Sequence, residues 1–318
     1  MRFLEGHRDA VMGLAFSPAA DRLASASADG SLRIWDVARG NTVRDVRTPN
    51  QQALAVAYSP DGKHLAAGFR RHPSASEFNR GYGPVACFPV EPPRGDAPDT
   101  IRSADTWFAY GPATRSVRFS TSGQLLLTAG PTDDPSKPEI VLWEWEDRRP
   151  LLPVARWQNH FQSVCFRPDD EAIAGACSDM GEGMFVWERT NLIYRRRPRL
   201  LRFPGDRCWG LDFSPDGQTL AGAFDSGRVV WWRPAEKQAD HRAGHDGAVL
   251  AVAHSPDGRL LLSAGADGLI HLWDNSGRQR ITTFDWQIGD VRCVAFAPDG
   301  LTAAAGGNGP IVIWDVDG

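Results

Sequence analysis

A short apolar or alternating segment runs into a turn of Ser, Pro, Asp and Gly at seven places along the chain. The seven copies are LAFSPAA (14–20), VAYSPDG (56–62), VRFSTSG (117–123), VCFRPDD (164–170), LDFSPDG (211–217), VAHSPDG (252–258) and VAFAPDG (294–300). Apolar and β-branched residues leading into a cluster of Pro, Asp and Gly are typical of a strand that ends in a tight turn. Each copy therefore predicts a β-strand followed by a reversal of the chain.

Two more strand-like segments follow each turn. The first is a run of small and apolar residues, such as LASAS at 23–27. The second alternates and ends in Trp in six repeats, whereas repeat two has VACFP at 85–89. Trp232, Trp273 and Trp314 follow one another at intervals of 41 residues, while extra residues stand in repeats two and three at 69–83 and 130–139. A fixed period of this length predicts a repeated unit of several strands.

Two dipeptides recur at a constant phase of this repeat: GH at 6–7 and 244–245, and WD at 35–36, 273–274 and 314–315. In period and signature the sequence resembles the WD40 repeat family over essentially the whole chain. The resemblance implies an all-β, seven-bladed propeller with four-stranded antiparallel blades, in which residues 1–318 form a single domain. It also implies that the N-terminal strand, residues 1–5, joins the last blade beside Ile311–Trp314 and closes the ring, which protects exposed strand edges.

The segment 244–274 holds a His, a Ser, an Asp and a Trp, residue types that occur in hydrolase sites and in structural networks alike. The resemblance implies a buried network that links the strands of a blade. Its members would be His245, Ser263, Asp267 and Trp273 in blade six, and His7, Ser25, Asp29 and Trp35 in blade one. Two copies with equal spacing argue against an active site, which normally occurs once. The other five blades lack the GH histidine, so we expect them to be held mainly by apolar packing.

The sequence contains no P-loop, HExxH, GxSxG or calcium-loop motif, so we expect neither catalysis nor a bound metal or cofactor. Asp133 and Asp134 are interpreted as part of a solvated loop. A net charge of −4 gives no overall attraction to nucleic acid or to an anionic membrane. Five cysteines without a CxxC spacing, a polar N-terminus and the lack of a membrane-spanning stretch predict a cytoplasmic monomer with free thiols.

The resemblance implies that the loop into each inner strand and the loop between the second and third strands lie on one side of the ring, the top face. Both insertions, 69–83 and 130–139, would project from it, and loops on a rigid scaffold commonly carry binding. Residues that open the inner strands would surround the mouth of the central channel. The candidate top-face residues are Arg70, Arg71, Arg80, Arg115, His160, Gln162, Arg207, Trp209 and Arg292.

Arginine and tryptophan are enriched at the energetic centres of protein interfaces. The sequence therefore predicts a non-catalytic scaffold that binds a protein or peptide on its top face, with the arginines favouring an acidic partner. The alternative is that the arginine-rich channel mouth binds a small anion or nucleic acid, and large polar residues that merely cap strand ends in water remain a third interpretation. The basic run 194–203 is expected at the outer strand of blade four, as a charged edge or a second contact, and 90–100 as a loop without a motif.

Overall fold

The computed structural model describes residues 1–48, 51–71, 84–91, 106–108, 112–132, 137–155, 160–179, 183–189 and 198–316. Within them the strands form seven sheets, each of four antiparallel strands, as the repeat predicts. Every sheet is one blade, and in blades one to six the chain runs from the inner to the outer strand in sequence order. None of the described segments is a helix that is long and apolar enough to cross a membrane.

Blades one to three contain twelve strands. These are β2 (Val11–Phe16), β3 (Arg22–Ser27), β4 (Ser31–Asp36) and β5 (Thr42–Arg47) in blade one; β6 (Gln51–Tyr58), β7 (His64–Arg71), β8 (Pro84–Pro89) and β9 (Thr106–Phe108) in blade two; and β10 (Ser116–Phe119), β11 (Leu125–Ala129), β12 (Ile140–Glu144) and β13 (Arg149–Ala155) in blade three. The expectation that Arg70 and Arg71 belong to the inserted loop of repeat two is wrong, because β7 continues through Arg71.

Blades four to six repeat the same order. Their strands are β14 (Phe161–Phe166), β15 (Ala172–Cys177), β16 (Met184–Glu188) and β17 (Arg199–Leu201); β18 (Cys208–Phe213), β19 (Leu220–Phe224), β20 (Arg228–Arg233) and β21 (Gln238–Ala243); and β22 (Val249–His254), β23 (Leu260–Gly265), β24 (Leu269–Asp274) and β25 (Gln279–Asp285). The basic run thus contributes β17 to the outer edge of blade four, and its residues 194–197 lie outside the described residues.

Blade seven joins the two ends of the chain. From the inner to the outer edge its strands are β26 (Val291–Phe296), β27 (Thr302–Gly307), β28 (Ile311–Asp315) and β1 (Arg2–Leu4). The antiparallel register sets Arg2 opposite Ile313 and Leu4 opposite Ile311. Inner strands of neighbouring blades contact each other around the whole ring, including β26 with β2. The predicted closure by the N-terminal strand is confirmed.

The turns after the inner strands explain the recurring SPDG sequence. In blade six the Ser255 hydroxyl donates to Asp257 at 2.6 Å, and the same carboxylate oxygen accepts the Arg259 backbone N–H at 3.0 Å. Gly258 has φ of +73°, a conformation that side chains with a Cβ adopt at a cost. Side-chain bonding and the glycine together fix the reversal that aligns β22 with β23.

The core lies between blades. In one cluster Leu32 and Ile34 of blade one pack with Val56 and Phe69 of blade two. Each blade is covered on both faces, so the second strands are runs of small apolar residues rather than alternating ones. Burial of such surface contributes about 25 cal/mol per Å² and supplies most of the stability.

Candidate functional site at the channel mouth

Blades one and six each contain a chain of hydrogen bonds that runs from Trp to Asp. In blade six the Trp273 indole donates to the Ser263 hydroxyl at 2.9 Å, that hydroxyl lies 2.8 Å from His245 Nε2, and His245 Nδ1 lies 3.0 Å from Asp267. One tautomer satisfies every link: Ser263 donates to Nε2, and Nδ1–H donates to Asp267. The His245 side chain has no solvent exposure, so this network holds strands together and has no access to a substrate.

The network of blade one has the same form. Trp35 donates to Ser25 at 2.8 Å, Ser25 lies 2.6 Å from His7 Nε2, and His7 Nδ1 lies 3.3 Å from Asp29. Burial raises the pKa of Asp29, but the hydrogen bonds from His7 and Ser31 outweigh it and hold that pKa well below its usual range. Asp29 therefore stays ionised and keeps its donors at neutral pH.

Blade three has one of these hydrogen bonds, from the Trp to the hydroxyl. The sequence analysis did not predict it, because blade three lacks the GH histidine. The Trp143 indole donates to Thr128 at 2.8 Å, and Thr128 occupies the register position of Ser25 and Ser263. In blade seven that position is Ala305, and the buried Trp314 indole N–H has no acceptor among the described residues. A hydroxyl at the second-strand position is the signal that would have found the blade-three bond.

A possible metal-ligand group occurs in blade six, where His245, Asp267 and His271 offer atoms within 4.8 Å of one another. Hydrogen bonds within the protein already occupy them. His271 Nε2 lies 2.6 Å from the Gly244 carbonyl oxygen, and its Nδ1 lies 2.9 Å from the Thr283 hydroxyl. Burial lowers the pKa of His271 to about 4, so the ring is neutral at pH 7. The group therefore has the form of a satisfied structural network.

The channel mouth is built by a repeated β-bulge. In six blades the register between the first and second strands shifts near the start of the inner strand, after its first residue in five blades and after its third residue, Ala53, in blade two. A bulge leaves one residue unpaired and re-aims its side chain. The six bulged residues are Met12, Leu54, Gln162, Trp209, Leu250 and Arg292, and Arg115 stands just before the inner strand of blade three. All seven line a central cavity of about 140 Å³.

Four of the candidate top-face residues therefore meet at this cavity: Arg115, Gln162, Trp209 and Arg292. His160 and Arg207 are exposed and lie outside its lining, and Arg70 is exposed at the end of β7. The side chain of Arg71, all of Arg80 and residues 92–100, 133 and 134 fall outside the described residues. Met12 and Leu250 are half-buried mouth residues that were not among the predicted top-face residues. They occupy the same position in their repeats as Gln162, Trp209 and Arg292.

Some of the basic residues on the rim contact carboxylates. Arg292 contacts Asp290 at 3.1 Å, and His160 contacts Asp179 at 3.1 Å. The Trp209 indole donates to Asp225 at 2.9 Å, which fixes the orientation of that half-buried ring. The rim is therefore not a continuous basic patch.

Arg115 differs from these rim residues. Its side chain has no ion pair or hydrogen bond in the described part of the chain, and its Nε is buried without an acceptor. Burial, and to a lesser extent the charge of Arg70, lowers the pKa of the Arg115 guanidinium. Arg70 donates from Nε to Gln52 Oε1 at 2.9 Å, again without a carboxylate partner in the described residues. Two arginines without a carboxylate partner in the described residues thus lie at the junction of blades two and three.

Comparison with known proteins gives four segments that match the family described as WD domain, G-beta repeat, at residues 1–36, 198–233, 237–274 and 278–315. The chain is 30% identical over 149 residues to the meiotic recombination protein rec14 of Schizosaccharomyces pombe. The aligned residues cover 46% of this chain and 49% of the relative. It is 44% identical over 272 residues to human Striatin-4, covering 84% of this chain and 28% of the relative.

A third relative is the transcription initiation factor TFIID subunit 5 of Caenorhabditis elegans, 25% identical over 215 residues, or 65% of this chain and 31% of the relative. The chain thus spans less than half the length of each of these relatives. The four matched segments are WD40 repeats, and together with seven four-stranded blades in the described residues they identify the fold as a WD40-type β-propeller.

Proposed function

We propose that this chain is a non-catalytic scaffold that binds a protein or peptide partner at the channel mouth of its top face. WD40 propellers are generally scaffolds for protein partners, and one relative is by its name a subunit of a larger factor. A fold alone does not define a function, so the proposal depends on the site.

The composition of the mouth carries the proposal. Half-buried apolar side chains, Met12, Trp209 and Leu250, stand on the same rim as the unpaired Arg115. Apolar anchors mixed with arginine and tryptophan are typical of the energetic centre of a protein interface. This rim sits on rigid inner strands, so a partner would meet a preorganised surface.

Nucleic acid is the less favoured ligand. Binding to a phosphate backbone draws on several unpaired cations along a track. Here Arg292 and His160 are already paired with carboxylates, and Asp225 is exposed on the same face. The mixed charge favours a compact protein contact.

Affinity capture from lysate of the source cells, read by mass spectrometry, tests the proposal. The top-face variant is Arg115→Glu/Trp209→Ala. The matched control is Arg259→Glu/Leu301→Ala, which makes the same kinds of change on the opposite face, where the Arg259 side chain is 84% exposed and Leu301 is 61% exposed. Both variants should melt within about 2 °C of the wild type, a difference of roughly 1 kcal/mol.

A protein that the wild type and the control retain, and the top-face variant loses, supports the scaffold. Equal recovery by all three chains would refute the top-face site and direct attention to the outer strand of blade four, β17.

A further inference from the structure

Two glycines seat a segment of chain between blades two and three. Residues 113–114 run between β7 and β11, and a Cβ at Gly68 would lie 2.5 Å from the Thr114 carbonyl oxygen, while a Cβ at Gly130 would lie 1.9 Å from that of Ala113. Both distances are far below van der Waals contact, so only glycine allows this approach at either position.

Backbone hydrogen bonds fix the same segment on both sides. The Thr114 N–H donates to the Phe69 carbonyl at 3.0 Å, and the Arg115 N–H donates to the Ala129 carbonyl at 2.8 Å. Arg70 forms an isolated antiparallel bridge with Ala113. In this antiparallel pairing Arg115 lies two residues beyond Ala113, the residue opposite Arg70, so the two arginines are diagonal neighbours from different blades.

The side chains of Arg70 and Arg115 carry two like charges and have no carboxylate partner among the described residues. Gln52 holds the Nε and Nη2 edge of Arg70, which leaves its Nη1 amino group available. Arg115 lines the cavity, and its Nε is buried without an acceptor. A buried donor without a partner costs folding free energy, and a charged one costs more. Nothing in the described residues recovers this cost.

The charged side chains that line the cavity beside Arg115 are also positive. Its described lining contains three arginines, Arg115, Arg118 and Arg292, and no Asp or Glu. Only Arg292 has a carboxylate partner in the described residues. A low-dielectric wall with unpaired guanidinium groups favours an oxyanion, which accepts from two guanidinium groups in parallel.

We propose that Arg70 and Arg115 form an oxyanion subsite, which receives a carboxylate or phosphoryl group presented by the protein partner. This inference rests on the proposed function and names the chemistry of the partner at that site. The apolar side of the mouth, at Met12 and Leu250, contacts the residues that flank the charged group. The subsite thus gives a role to two unpaired arginines that glycine contacts and backbone hydrogen bonds hold near each other.

Titration calorimetry with sodium phosphate, and separately with sodium acetate, tests the subsite without any partner, at an ionic strength held constant with sodium chloride. The variants are Arg115→Gln and Arg70→Gln, and the latter changes an exposed side chain. Loss of one charge-assisted hydrogen bond should raise the Kd for phosphate about tenfold or more. The matched control, Arg259→Gln, removes an exposed arginine of the opposite face and should leave the Kd unchanged.

Phosphate binding that both variants weaken supports the subsite with a phosphoryl partner group, and equal sensitivity of acetate binding supports it with a carboxylate. A Kd for phosphate that is the same in all four chains, or the lack of binding of either anion, would overturn it.

The melting temperature without added oxyanion gives a second readout. Arg115→Gln should melt above the wild type, because it removes an unpaired buried charge; residues in a binding site often lower stability in this way. A lower melting temperature of Arg115→Gln together with an unchanged Kd would assign Arg115 a purely structural role.

The two proposals can fail separately. If the capture experiment finds a partner on the top face but the anions do not bind, the scaffold stands and the subsite is wrong. If the anions bind at Arg70 and Arg115 but the top-face variant loses no partner, the protein has an oxyanion site there, whereas the scaffold and the delivery of the anion by a protein partner are wrong.

Discussion

Asp267→Ala should destabilise the protein through blade six and leave the top face intact. The Asp267 carboxylate accepts three hydrogen bonds: from His245 Nδ1 at 3.0 Å, and from the backbone N–H groups of Asp246 and Leu269, each at 3.1 Å. Since the His245 side chain has no solvent exposure, water cannot replace the lost acceptor there. Asp246 is exposed and Leu269 is half-buried, so their backbone N–H groups can bond to water instead.

The magnitude follows from the one donor that stays buried. A hydrogen bond to a charged acceptor contributes about 1.5–3 kcal/mol, and an unsatisfied buried donor costs the whole desolvation penalty. We expect the free energy of unfolding to fall by about 3 kcal/mol. Asp257→Ala in the SPDG turn of the same blade is the control, because that carboxylate is 56% exposed and both of its donors have a substitute acceptor. The exposed Arg259 N–H can bond to water, and the Ser255 hydroxyl has the Leu260 carbonyl oxygen at 3.2 Å. It should cost about 1 kcal/mol or less.

Urea denaturation followed by tryptophan fluorescence measures the difference, and hydrogen exchange locates it. Amides of β22–β25 should exchange faster in Asp267→Ala, with a smaller change in blade three, because cooperative opening follows structural units. Equal loss of stability in Asp267→Ala and its control would refute the assignment. So would loss of partner capture by Asp267→Ala at an unchanged free energy of unfolding.

Three further predictions concern the same networks. Because burial lowers the pKa of His271 to about 4 against 6.5 in the unfolded chain, the unfolded state takes up the proton first. Stability should be constant above about pH 6.5 and fall by up to about 3 kcal/mol towards pH 4, as denaturation across pH would show, and His271→Asn should flatten the profile. Thr128→Val removes the acceptor of Trp143 and should lower the free energy of unfolding by about 1–3 kcal/mol in urea titrations. Ala305→Ser should raise it by about 1 kcal/mol, because it places an acceptor beside the buried Trp314 indole; lower stability of this variant would contradict the register argument.

The hydrogen-bond networks of blades one and six could be predicted from the sequence, because the residues of each network belong to one repeat. His245, Ser263 and Asp267 keep fixed distances from the WD dipeptide, and a repeat that appears twice supplies its own comparison. The Thr128 bond was missed because only the histidine column was compared, whereas the strand register alone makes Thr128 equivalent to Ser25.

The channel-mouth columns were also predictable, but their geometry was not. Counting from the turns places Trp209 and Arg292 near the start of inner strands. Their entry into the cavity depends on the bulge after the first strand residue, and a bulge arises from pairing with the second strand rather than from the residue itself. The end of β7 was misplaced for a related reason: pairing with β6 extends the strand through two arginines that by composition belong to the insertion.

By itself, the sequence determined the number of repeats and the strand–turn pattern within each, because alternation and turn residues act over a few neighbouring positions. The four-stranded blades and the closing of the ring were implied by the resemblance to the WD40 repeat family. Only the tertiary structure decided which charges are paired. Arg292 forms an ion pair with Asp290, two residues away in sequence. Arg115 of blade three instead lies near Arg70 of blade two and has no carboxylate partner among the described residues. Electrostatic energy depends on distance and burial, and for residues far apart in sequence both are set by the packing of the blades.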